Sequence, residues 1–465
     1  MALRELHGRT AIVLGLGHFG GGLGAARWLL QQGARVTVTD KAPAELLRGA
    51  AAELAAAGAQ VVLGGHAGVD FARADLLVVN PAVPLTAEPV RAAQAAGVRI
   101  STEIGLLMER WPGPVLGVTG SNGKSTTTSL AHGLLVAAGA RAFLGGNIGG
   151  SLLERLHEAR RGDVAVLELS SFMLDLLAPA GLGPDVAILT NITPNHLDRH
   201  GSFEAYKEAK KQVLRRARRA VLNADDAHVR DVAHGYPGEA LWFGRRGEVV
   251  VDDDGGLLDR RGWPLLRAAE IPLPGRMNRM NLAAAFLAVA AVLGDEVRAA
   301  RALPSALARY ERPPHRLDPV GTWRGVAWVD DSASTTPEST RGSLEAVGGR
   351  CLLIAGGHDK GLDPEPLLDG AQRWARVVLT IGEQAQPLLR ELVRRGVAAE
   401  AVATVEAAVT RAAQLAKPGE TVLLSPGYSS HDQFTNYERR AERFREEVLK
   451  QAASTASAGV SSSAT

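Results

Sequence analysis

The chain has 465 residues, of which 46% are hydrophobic and 22% are charged, with a net charge of +2. This length predicts about three domains, and the composition is that of an ordinary globular protein with large cores. The near-neutral charge argues against nucleic acid or an anionic membrane as a partner. No apolar run reaches the roughly 18 residues that a membrane-spanning helix needs.

A single cysteine, Cys351, lies in the apolar run 351–355, so no disulfide can form within the chain. That usage fits a reducing compartment. Residues 1–8 carry charge where a signal peptide would need an apolar core. We expect a cytoplasmic protein that acts as a monomer and binds neither nucleic acid nor membranes.

The chain opens with a strand, a glycine loop, a helix and a second strand. Thr10–Leu14 is an apolar run, residues 15–20 contain glycines in the spacing Gly-x-Gly-x-x-Gly, and the second strand ends at Asp40. This pattern predicts a Rossmann-like βαβ unit, in which phosphate approaches the glycines and the acid meets a hydroxyl or a base edge. NAD and other nucleotides both fit such a unit. Asn80 follows a later strand, at the edge where open α/β sheets bind ligands.

Two proline-rich breaks divide the chain. Residues 111–114 read Trp-Pro-Gly-Pro, and residues 313–316 read Pro-Pro-His-Arg. Alternating strand and helix patterns predict an α/β fold: a Rossmann-like N-terminal domain, a central P-loop ATPase-like domain with a mainly parallel sheet, and a Rossmann-like C-terminal domain. The predicted domains are 1–112, 113–314 and 315–450, followed by a disordered Ala/Ser/Thr tail at 451–465.

The segment 114–130 is the most informative part of the chain. Its pattern predicts a buried strand, a tight loop at residues 120–123, and a helix from Lys124. Such a loop cradles phosphate: its backbone N–H groups face the anion, Lys124 adds a positive charge, and the Ser125 hydroxyl reaches Mg²⁺. Val118 stands where the strict P-loop pattern has glycine. The predicted phosphate-binding residues are Thr119, Gly120, Ser121, Asn122, Gly123, Lys124, Ser125 and Thr126.

Acidic and imidazole side chains follow the next two predicted strands. Glu168 lies near the end of its strand and is placed to hold Mg²⁺ on the phosphates, as a Walker-B acid does. His196 and His200 are four residues apart, a spacing that also suits zinc, but no third ligand accompanies them. We favour His196 as a ligand of a second Mg²⁺.

At several positions between about residue 8 and residue 448 the sequence resembles the Mur ligases. The motifs are Thr-Gly-Ser-Asn-Gly-Lys-Ser-Thr at 119–126, Gly-Asn-Ile-Gly at 146–149, Leu-Glu-Leu-Ser-Ser-Phe at 167–172, Asn-His-Leu-Asp at 195–198, Tyr-x-x-x-Lys at 206–210, Asn-Ala-Asp-Asp at 223–226, Pro-His-Arg at 314–316, and Leu-Ser-Pro-Gly-Tyr-Ser-Ser-His-Asp-Gln-Phe at 424–434. The set is most similar to the family members that add D-glutamate.

The resemblance implies an ATP-dependent amide ligase of peptidoglycan precursor synthesis. ATP would phosphorylate the carboxylate of UDP-N-acetylmuramoyl-L-alanine, and the amine of glutamate would then displace phosphate from the acyl phosphate. Fixed cations suit both steps because negative charge develops in each. Lys124 would hold the β- and γ-phosphates, Ser125 and Glu168 would hold one Mg²⁺, and His196 would hold the other.

The resemblance also implies roles for the remaining site residues. Lys210 would carry a carbamate that supports the metal site, so the implied catalytic set is Lys124, Glu168, His196 and Lys210. ATP would further contact Asn278, Asn281, His315, Arg316 and Asp331. The UDP substrate and glutamate would contact Gly17, His18, Phe19, Asp40, Asn80, Asn147, Ser171, Thr335, Lys360, Ser430 and Tyr437.

The glutamate site departs from the family pattern. Ala333 stands where the family's D-glutamate ligases commonly have lysine, whereas Lys360 is retained. A dicarboxylate remains the best substrate, with L-glutamate as an alternative to D-glutamate. Another Mur-type or folylpolyglutamate-like ligase is a further alternative. A P-loop NTPase switch leaves the first and third domains unexplained, and a dinucleotide-binding oxidoreductase explains nothing after residue 114.

Overall fold

The structure, a computed structural model, describes residues 6–17, 20–349 and 351–461, with residues 454–461 described by their backbone alone. Three sheets follow one another along the chain, each with helices packed against it. The predicted α/β fold with three domains is therefore confirmed.

The first sheet contains β1 (Thr10–Leu14), β2 (Arg35–Asp40), β3 (Gln60–Leu63), β4 (Leu76–Val79) and β5 (Arg99–Ser101). Its strands are all parallel, in the order β3-β2-β1-β4-β5. The helices of this domain are α1 (Gly21–Gln31), α2 (Ala44–Ala56), α3 (Glu88–Ala95) and α4 (Glu103–Met108). Because helices cover both faces, β4 is buried at every position, as the apolar sequence Leu-Leu-Val-Val requires.

The second sheet contains β6 (Val115–Thr119), β7 (Ala142–Gly146), β8 (Val164–Glu168), β9 (Val186–Leu189), β10 (Arg219–Asn223), β11 (Glu239–Phe243), β12 (Val249–Val251), β13 (Leu257–Asp259) and β14 (Pro264–Leu266). The order is β14-β13-β12-β11-β10-β9-β6-β8-β7, and only β12–β14 pair antiparallel. The helices are α5 (Lys124–Ala137), α6 (Ser171–Leu177), α7 (Leu197–His200), α8 (Phe203–Lys211), α9 (Ala227–Val232), α10 (Arg276–Leu293) and α11 (Glu296–Ala308). The central position of β6 places its carboxyl end between those of β8 and β9.

The third sheet contains β15 (Asp318–Trp323), β16 (Val326–Asp330), β17 (Cys351–Gly356), β18 (Ala375–Ile381), β19 (Ala399–Ala403) and β20 (Thr421–Leu424). The order is β15-β16-β20-β17-β18-β19, with β15 antiparallel to β16 and the other pairs parallel. The helices are α12 (Pro337–Val347), α13 (Glu365–Trp374), α14 (Ala385–Arg394), α15 (Val405–Leu415) and α16 (Tyr437–Ser461). Cys351 is a free thiol in the buried strand β17, as predicted.

The linker between the second and third domains has an unusual backbone. Pro313 and Pro314 are followed by His315 and Leu317 with positive φ angles of 60° and 45°. Residues other than glycine seldom adopt this left-handed conformation. The Leu317 N–H donates to Asp331 Oδ1 at 3.1 Å, which ties the linker to the third domain.

Some elements differ from the sequence-based expectation. The turn at 252–256 joins β12 to β13 in a hairpin. The final helix runs to Ser461, whereas the sequence predicts a disordered tail from residue 451. The strands β7, β11, β14, β15 and β19 were not predicted, because several of them are short or only partly buried and lack a clear alternation. Among the described residues, no helix combines the length and the apolar character that crossing a membrane demands.

Candidate active site

The phosphate loop joins β6 to α5. Gly120 and Gly123 have positive φ angles of 153° and 83°. A Cβ atom would lie 1.8 Å from Thr190 Oγ1 at the first position and 2.4 Å from Asn281 Oδ1 at the second, so both positions require glycine. Val118, which departs from the strict P-loop pattern, is a fully buried residue of β6, and the loop begins after it.

The backbone N–H groups of the loop fall into two sets. Those of Ser121 and Asn122 donate to the carbonyl and side-chain oxygens of Asn191, each at 2.9 Å. These two N–H groups are therefore not available to phosphate, in contrast to the sequence-based prediction. The N–H groups of residues 123–126 make no hydrogen bond to the part of the chain that the structure describes. They open α5, whose amino-terminal end attracts anions. This turn is the candidate phosphate-binding end of the loop.

Two lysines converge on the loop. Lys124 Nζ donates to the carbonyls of Gly120 and Ser121 at 3.0 and 2.9 Å. Lys210 Nζ, which reaches in from α8, donates to the same Gly120 carbonyl at 2.7 Å. Burial lowers the pKa of both amines, that of Lys210 well below its usual value, with Lys124 adding to the effect at Lys210. The site therefore holds two desolvated amines next to the phosphate-binding turn.

Glu168 ends β8 directly beside the loop and is 1% exposed. Its Oε1 accepts a hydrogen bond from Asn147 Nδ2 at 2.9 Å. Its Oε2 is buried and has no hydrogen-bond partner among the described residues. A buried carboxylate oxygen without a donor is costly unless a cation completes it, so this atom fits a metal ligand. Ser125 and His196 line the same cavity as Glu168.

His196 precedes α7 and has a φ angle of 53°. Its ring contacts Phe172 edge to face, with centroids 5.0 Å apart. Burial and the nearby Lys360, Lys124 and Lys210 lower its pKa to about 3. The imidazole is therefore neutral at physiological pH, which is the form that binds metal ions.

His200 does not join His196 in a metal site. Its Nε2 lies 3.0 Å from Ser171 Oγ, its Nδ1 lies 3.5 Å from Asp175 Oδ2, and its ring stacks on Phe172. In residues 6–17, 20–349 and 351–461, no group of three or more His, Cys, Asp or Glu side chains is placed to hold a metal ion. The zinc alternative thus has no support in the geometry, whereas Mg²⁺ accepts hydroxyl, carbonyl and water oxygens as well.

A smaller cavity of about 60 Å³ lies between the second and third domains. Asn278 and Asn281 from α10 line one side, and Arg316 and Asp331 line the other. Burial raises the pKa of Asp331, and its carboxylate accepts hydrogen bonds from Ser425 Oγ and the Leu317 N–H. The structure thus brings four of the predicted ATP-contacting residues together.

His315, the fifth of the ATP contacts predicted outside the phosphate loop, contacts Asp330 instead of lining the cavity. Its Nδ1 lies 2.7 Å from Asp330 Oδ2, and this hydrogen bond raises the pKa of the imidazole. It lines neither of the two cavities. We infer that it orients the linker that carries Arg316.

The third domain presents a cation to the same region. Lys360 Nζ donates to Thr335 Oγ1 at 3.4 Å, and burial lowers the pKa of the amine to about 8. The cavity that contains Glu168 is also lined by Ala333, Thr335 and Tyr437. Ser430, which precedes Tyr437 in the sequence, is buried. A direct domain contact accompanies them: Thr336 Oγ1 donates to Asn122 Oδ1 of the phosphate loop at 3.3 Å.

Only some of the substrate-binding residues predicted in the first domain line the large cavity. Gly17 and Asn80 line the large cavity and touch each other, since a Cβ atom on Gly17 would lie 2.5 Å from Asn80 Nδ2. Asp40 is not brought into it: its two oxygens accept the N–H groups of Leu16 and Ala42, each at 2.8 Å. This carboxylate shapes the glycine loop. His18 and Phe19 lie outside the described residues.

The first and second domains meet at a buried carboxyl group. Ser151 Oγ donates to Glu103 Oε1 at 2.6 Å, and burial raises the pKa of Glu103 to about 7. Glu103 also lines the large cavity.

The large cavity has a volume of about 530 Å³ and joins all three domains. It runs from Gly17 and Asn80, past Asn147 and Ser171, to Lys124, Glu168, His196 and Lys210, and it ends at Thr335 and Tyr437. Its size suits a ligand of drug-like dimensions or larger. Polar and titratable groups from segments far apart in the sequence, in all three domains, thus face one space.

Comparison with known proteins identifies this architecture. The Mur ligase middle domain matches residues 118–289, the Mur ligase glutamate ligase domain matches residues 315–427, and the MurD-like N-terminal domain of Mur ligases matches residues 9–102. A UDP-N-acetylmuramoylalanine–D-glutamate ligase of Symbiobacterium thermophilum is 38% identical over 460 residues, which cover 96% of this chain and 98% of the relative. The chain belongs to the Mur ligase family.

Further relatives of this Mur ligase agree. UDP-N-acetylmuramoylalanine–D-glutamate ligases from Chromobacterium violaceum and Myxococcus xanthus are 39% and 37% identical, each over 95% of this chain, with 97% and 98% of the relative covered. Among solved structures, MurC and ADP-bound MurF, both from Thermotoga maritima, give TM-scores of 0.61 and 0.60 at 17% and 20% identity. The comparison covers 95% and 97% of this chain and 100% and 97% of theirs, and it shows a shared fold.

Several residues of the site of this Mur ligase escaped the sequence-based prediction. Thr336, Glu103, Phe172 and Arg199 make contacts within or beside the cavity. Thr336 adjoins a predicted residue, and Phe172 belongs to a motif that was recognised. Glu103 carried no signal, since an acid at the start of a helix is ordinary.

Proposed function

We propose that this chain ligates D-glutamate to UDP-N-acetylmuramoyl-L-alanine at the expense of ATP, in cytoplasmic peptidoglycan precursor synthesis. The observation that carries the proposal is the cavity of about 530 Å³, which connects the glycine loop of the first domain to the phosphate loop and to the third domain. A P-loop NTPase switch would need only the phosphate loop and would not explain a cavity that extends into the first and third domains. The relatives, which are UDP-N-acetylmuramoylalanine–D-glutamate ligases, support the same substrates.

The first step transfers the γ-phosphoryl group of ATP to the substrate carboxylate, and ADP leaves. The N–H groups of residues 123–126 and the Lys124 amine would bind the phosphates, and Asn278, Asn281 and Arg316 would bind the rest of the nucleotide. The carboxylate would approach through the large cavity. These fixed donors stabilise the charge on the transferring group because they are oriented before the reaction begins.

Mg²⁺ is the metal that the residues fit. Ser125 and Glu168 would hold one ion, and the neutral His196 and a modified Lys210 would hold the second. The unpartnered Glu168 Oε2 supports this assignment. When bound, Mg²⁺ would screen the charge of the phosphates.

Lys210 would carry a carbamate. Burial lowers the pKa of this amine well below its usual value, which favours the neutral, nucleophilic form that carbamate formation requires. The neutral nitrogen attacks CO₂: a C–N bond forms, one C–O π bond opens, and the nitrogen loses one proton, so a neutral amine becomes an anionic carbamate. Counted from the ammonium form, two protons leave. The anion would also relieve the repulsion between Lys210 and Lys124.

In the second step the glutamate amine attacks the acyl phosphate, an amide forms, and phosphate and a proton leave. Lys360, Thr335 and Ser430 would bind the amino acid, with the Lys360 ammonium facing a carboxylate. A pKa of about 8 leaves this amine mostly charged at pH 7. Ala333 stands where the family's D-glutamate ligases commonly have lysine, so this region has one cation fewer for the carboxylates of the amino acid.

We further propose that the enzyme is a monomer of the cytoplasm. Its only cysteine, Cys351, is a free buried thiol, which suits a reducing compartment.

A coupled ligase assay tests the proposal. The protein is incubated with ATP, Mg²⁺ and UDP-N-acetylmuramoyl-L-alanine, with D-glutamate, L-glutamate or aspartate supplied in parallel. We expect ADP release that requires both the UDP substrate and D-glutamate. ADP release without either substrate would indicate an NTPase, and ligation of L-glutamate alone would reassign the amino acid.

A further inference from the structure

Arg199 connects two domains across the large cavity. Its guanidinium donates to the carbonyl of Ala82 at 2.8 Å and to that of Pro81 at 3.2 Å. Both carbonyls belong to the loop after β4, and Pro81 and Ala82 line the cavity. Arg199 itself lies in α7 of the second domain. A ligand bound at this loop would therefore contact the same residues, Pro81 and Ala82, that hold the Arg199 side chain.

The same guanidinium also reaches the candidate metal ligand. It lies over the Phe172 ring at 5.2 Å from the centroid, and that ring contacts the His196 imidazole at 5.0 Å. The backbone provides a second route, since Arg199 N–H donates to the His196 carbonyl at 3.1 Å. His196 has a left-handed φ of 53°, so its position depends on these surroundings.

We propose that Arg199 is a positioning residue that couples binding of the UDP substrate at residues 80–82 to the placement of the metal ligand His196. A filled loop fixes the two carbonyls, the carbonyls fix the guanidinium, and the guanidinium fixes the Phe172 ring against the imidazole. The assignment of a substrate and a metal to these places rests on the proposed function.

Thermodynamic linkage gives this coupling a measurable form. If the UDP substrate tightens metal binding by some factor, the metal tightens substrate binding by the same factor. Arginine suits the role because its planar fork of donors binds two carbonyls and stacks on a ring at once. Alanine at this position would leave both sites intact and remove the connection.

The test measures metal binding without turnover. Mn²⁺ is titrated into the full-length protein, and free Mn²⁺ is followed by electron paramagnetic resonance, with and without saturating UDP-N-acetylmuramoyl-L-alanine and without ATP. We expect the substrate to lower the Mn²⁺ dissociation constant of the wild type by roughly fivefold or more. In Arg199→Ala the substrate should have less than a twofold effect, while Mn²⁺ affinity without substrate stays unchanged.

Arg27→Ala is the matched control. Arg27 also joins the first and second domains, through Glu154 at 3.2 Å and its own-domain partner Glu53 at 2.5 Å, but neither of these contacts involves Phe172 or His196. This variant should keep the substrate effect on Mn²⁺. If it loses the effect as fully as Arg199→Ala does, general domain docking and not Arg199 carries the coupling, and the proposal is overturned.

Phe172→Leu provides a second variant in case Arg199→Ala does not fold. It removes the ring between Arg199 and His196 and leaves the bonds to Pro81 and Ala82, so the substrate effect should weaken to what the backbone bond from Arg199 to His196 transmits. A wild type without any substrate effect, or an Arg199→Ala variant that keeps it, would contradict the coupling. A wild type that shows the effect but forms no amide product would instead contradict the proposed function.

Discussion

Lys124 and Lys210 donate hydrogen bonds to one and the same oxygen, the carbonyl of Gly120, at 3.0 and 2.7 Å. Two buried amines that share one neutral acceptor lack enough nearby negative charge to balance a positive charge on each of them. The phosphates of a nucleotide and a carbamate on Lys210 would each supply that charge. The loop is thus arranged so that binding of an anionic ligand improves its electrostatics.

Replacing Lys124 with alanine should reduce ligation on the order of 10²-fold or more, because a fixed cation at the transferring phosphoryl group is lost. The measurement is steady-state ADP release with both substrates present. Lys211→Ala is the control, since Lys211 is exposed and its nearest acid, Glu208, is 4.0 Å away. Near-normal turnover by Lys124→Ala would remove the loop from the active site.

Lys210→Ala should lose activity to a similar extent, and short carboxylic acids such as acetate should restore part of it by taking the place of the carbamate. Assays over a range of acetate concentrations, with Lys211→Ala beside it, measure the rescue. Full activity in Lys210→Ala, with no response to acetate or bicarbonate, would show that the lysine carries no carbamate role.

Glu168→Gln should raise the Mg²⁺ concentration needed for half-maximal activity, because an amide oxygen carries no charge to attract the ion. The amide keeps an oxygen for the hydrogen bond from Asn147. A Mg²⁺ titration of turnover measures the effect, and Glu45→Gln on the exposed face of α2 is the control. An unchanged Mg²⁺ requirement would contradict the assignment of the unpartnered Oε2 to a metal site.

Lys360→Ala should raise the KM for glutamate roughly tenfold or more, because a charged hydrogen bond to a carboxylate is lost. The KM for ATP should change far less. Initial rates over a matrix of both substrates separate these effects. Equal increases in both constants would place Lys360 outside the amino-acid site.

Glu103 predicts a pH dependence of stability. Its pKa rises from an ordinary value of 4.5 to about 7 in the folded protein. The folded state therefore binds more protons than the unfolded state between these values, and stability falls as the pH rises from 4.5 to 7. The loss amounts to up to about 3 kcal/mol. Thermal unfolding of Glu103→Gln should show a smaller fall over this range than the wild type or Glu45→Gln, and parallel curves would refute the assignment.

Much of the fold and of the site could be predicted because local patterns specify them. Apolar runs between glycines and prolines indicate the buried strands β1, β4, β6 and β8. The glycines between β6 and α5 predict the tight turn of the phosphate loop. The chemistry of Lys124 and Glu168 follows from residue type and from the strand ends on which they stand.

The remainder depends on contacts between distant segments. Nothing near Asp40 in the sequence reveals that two backbone N–H groups occupy its oxygens. The bond between Asn122 and Thr336 joins residues of two domains, and the link from Arg199 to Pro81 spans the first two. Such pairs emerge only when the sheets have packed, so periodicity and motif spacing carry no trace of them.

The linker at 313–317 has a consequence for how the domains move. Pro313 and Pro314 each fix a φ angle, and the left-handed φ angles of His315 and Leu317 cost about 1 kcal/mol or more each. A chain segment held in this way has few backbone conformations open to it. The linker therefore restricts the angles that the second and third domains can adopt relative to each other.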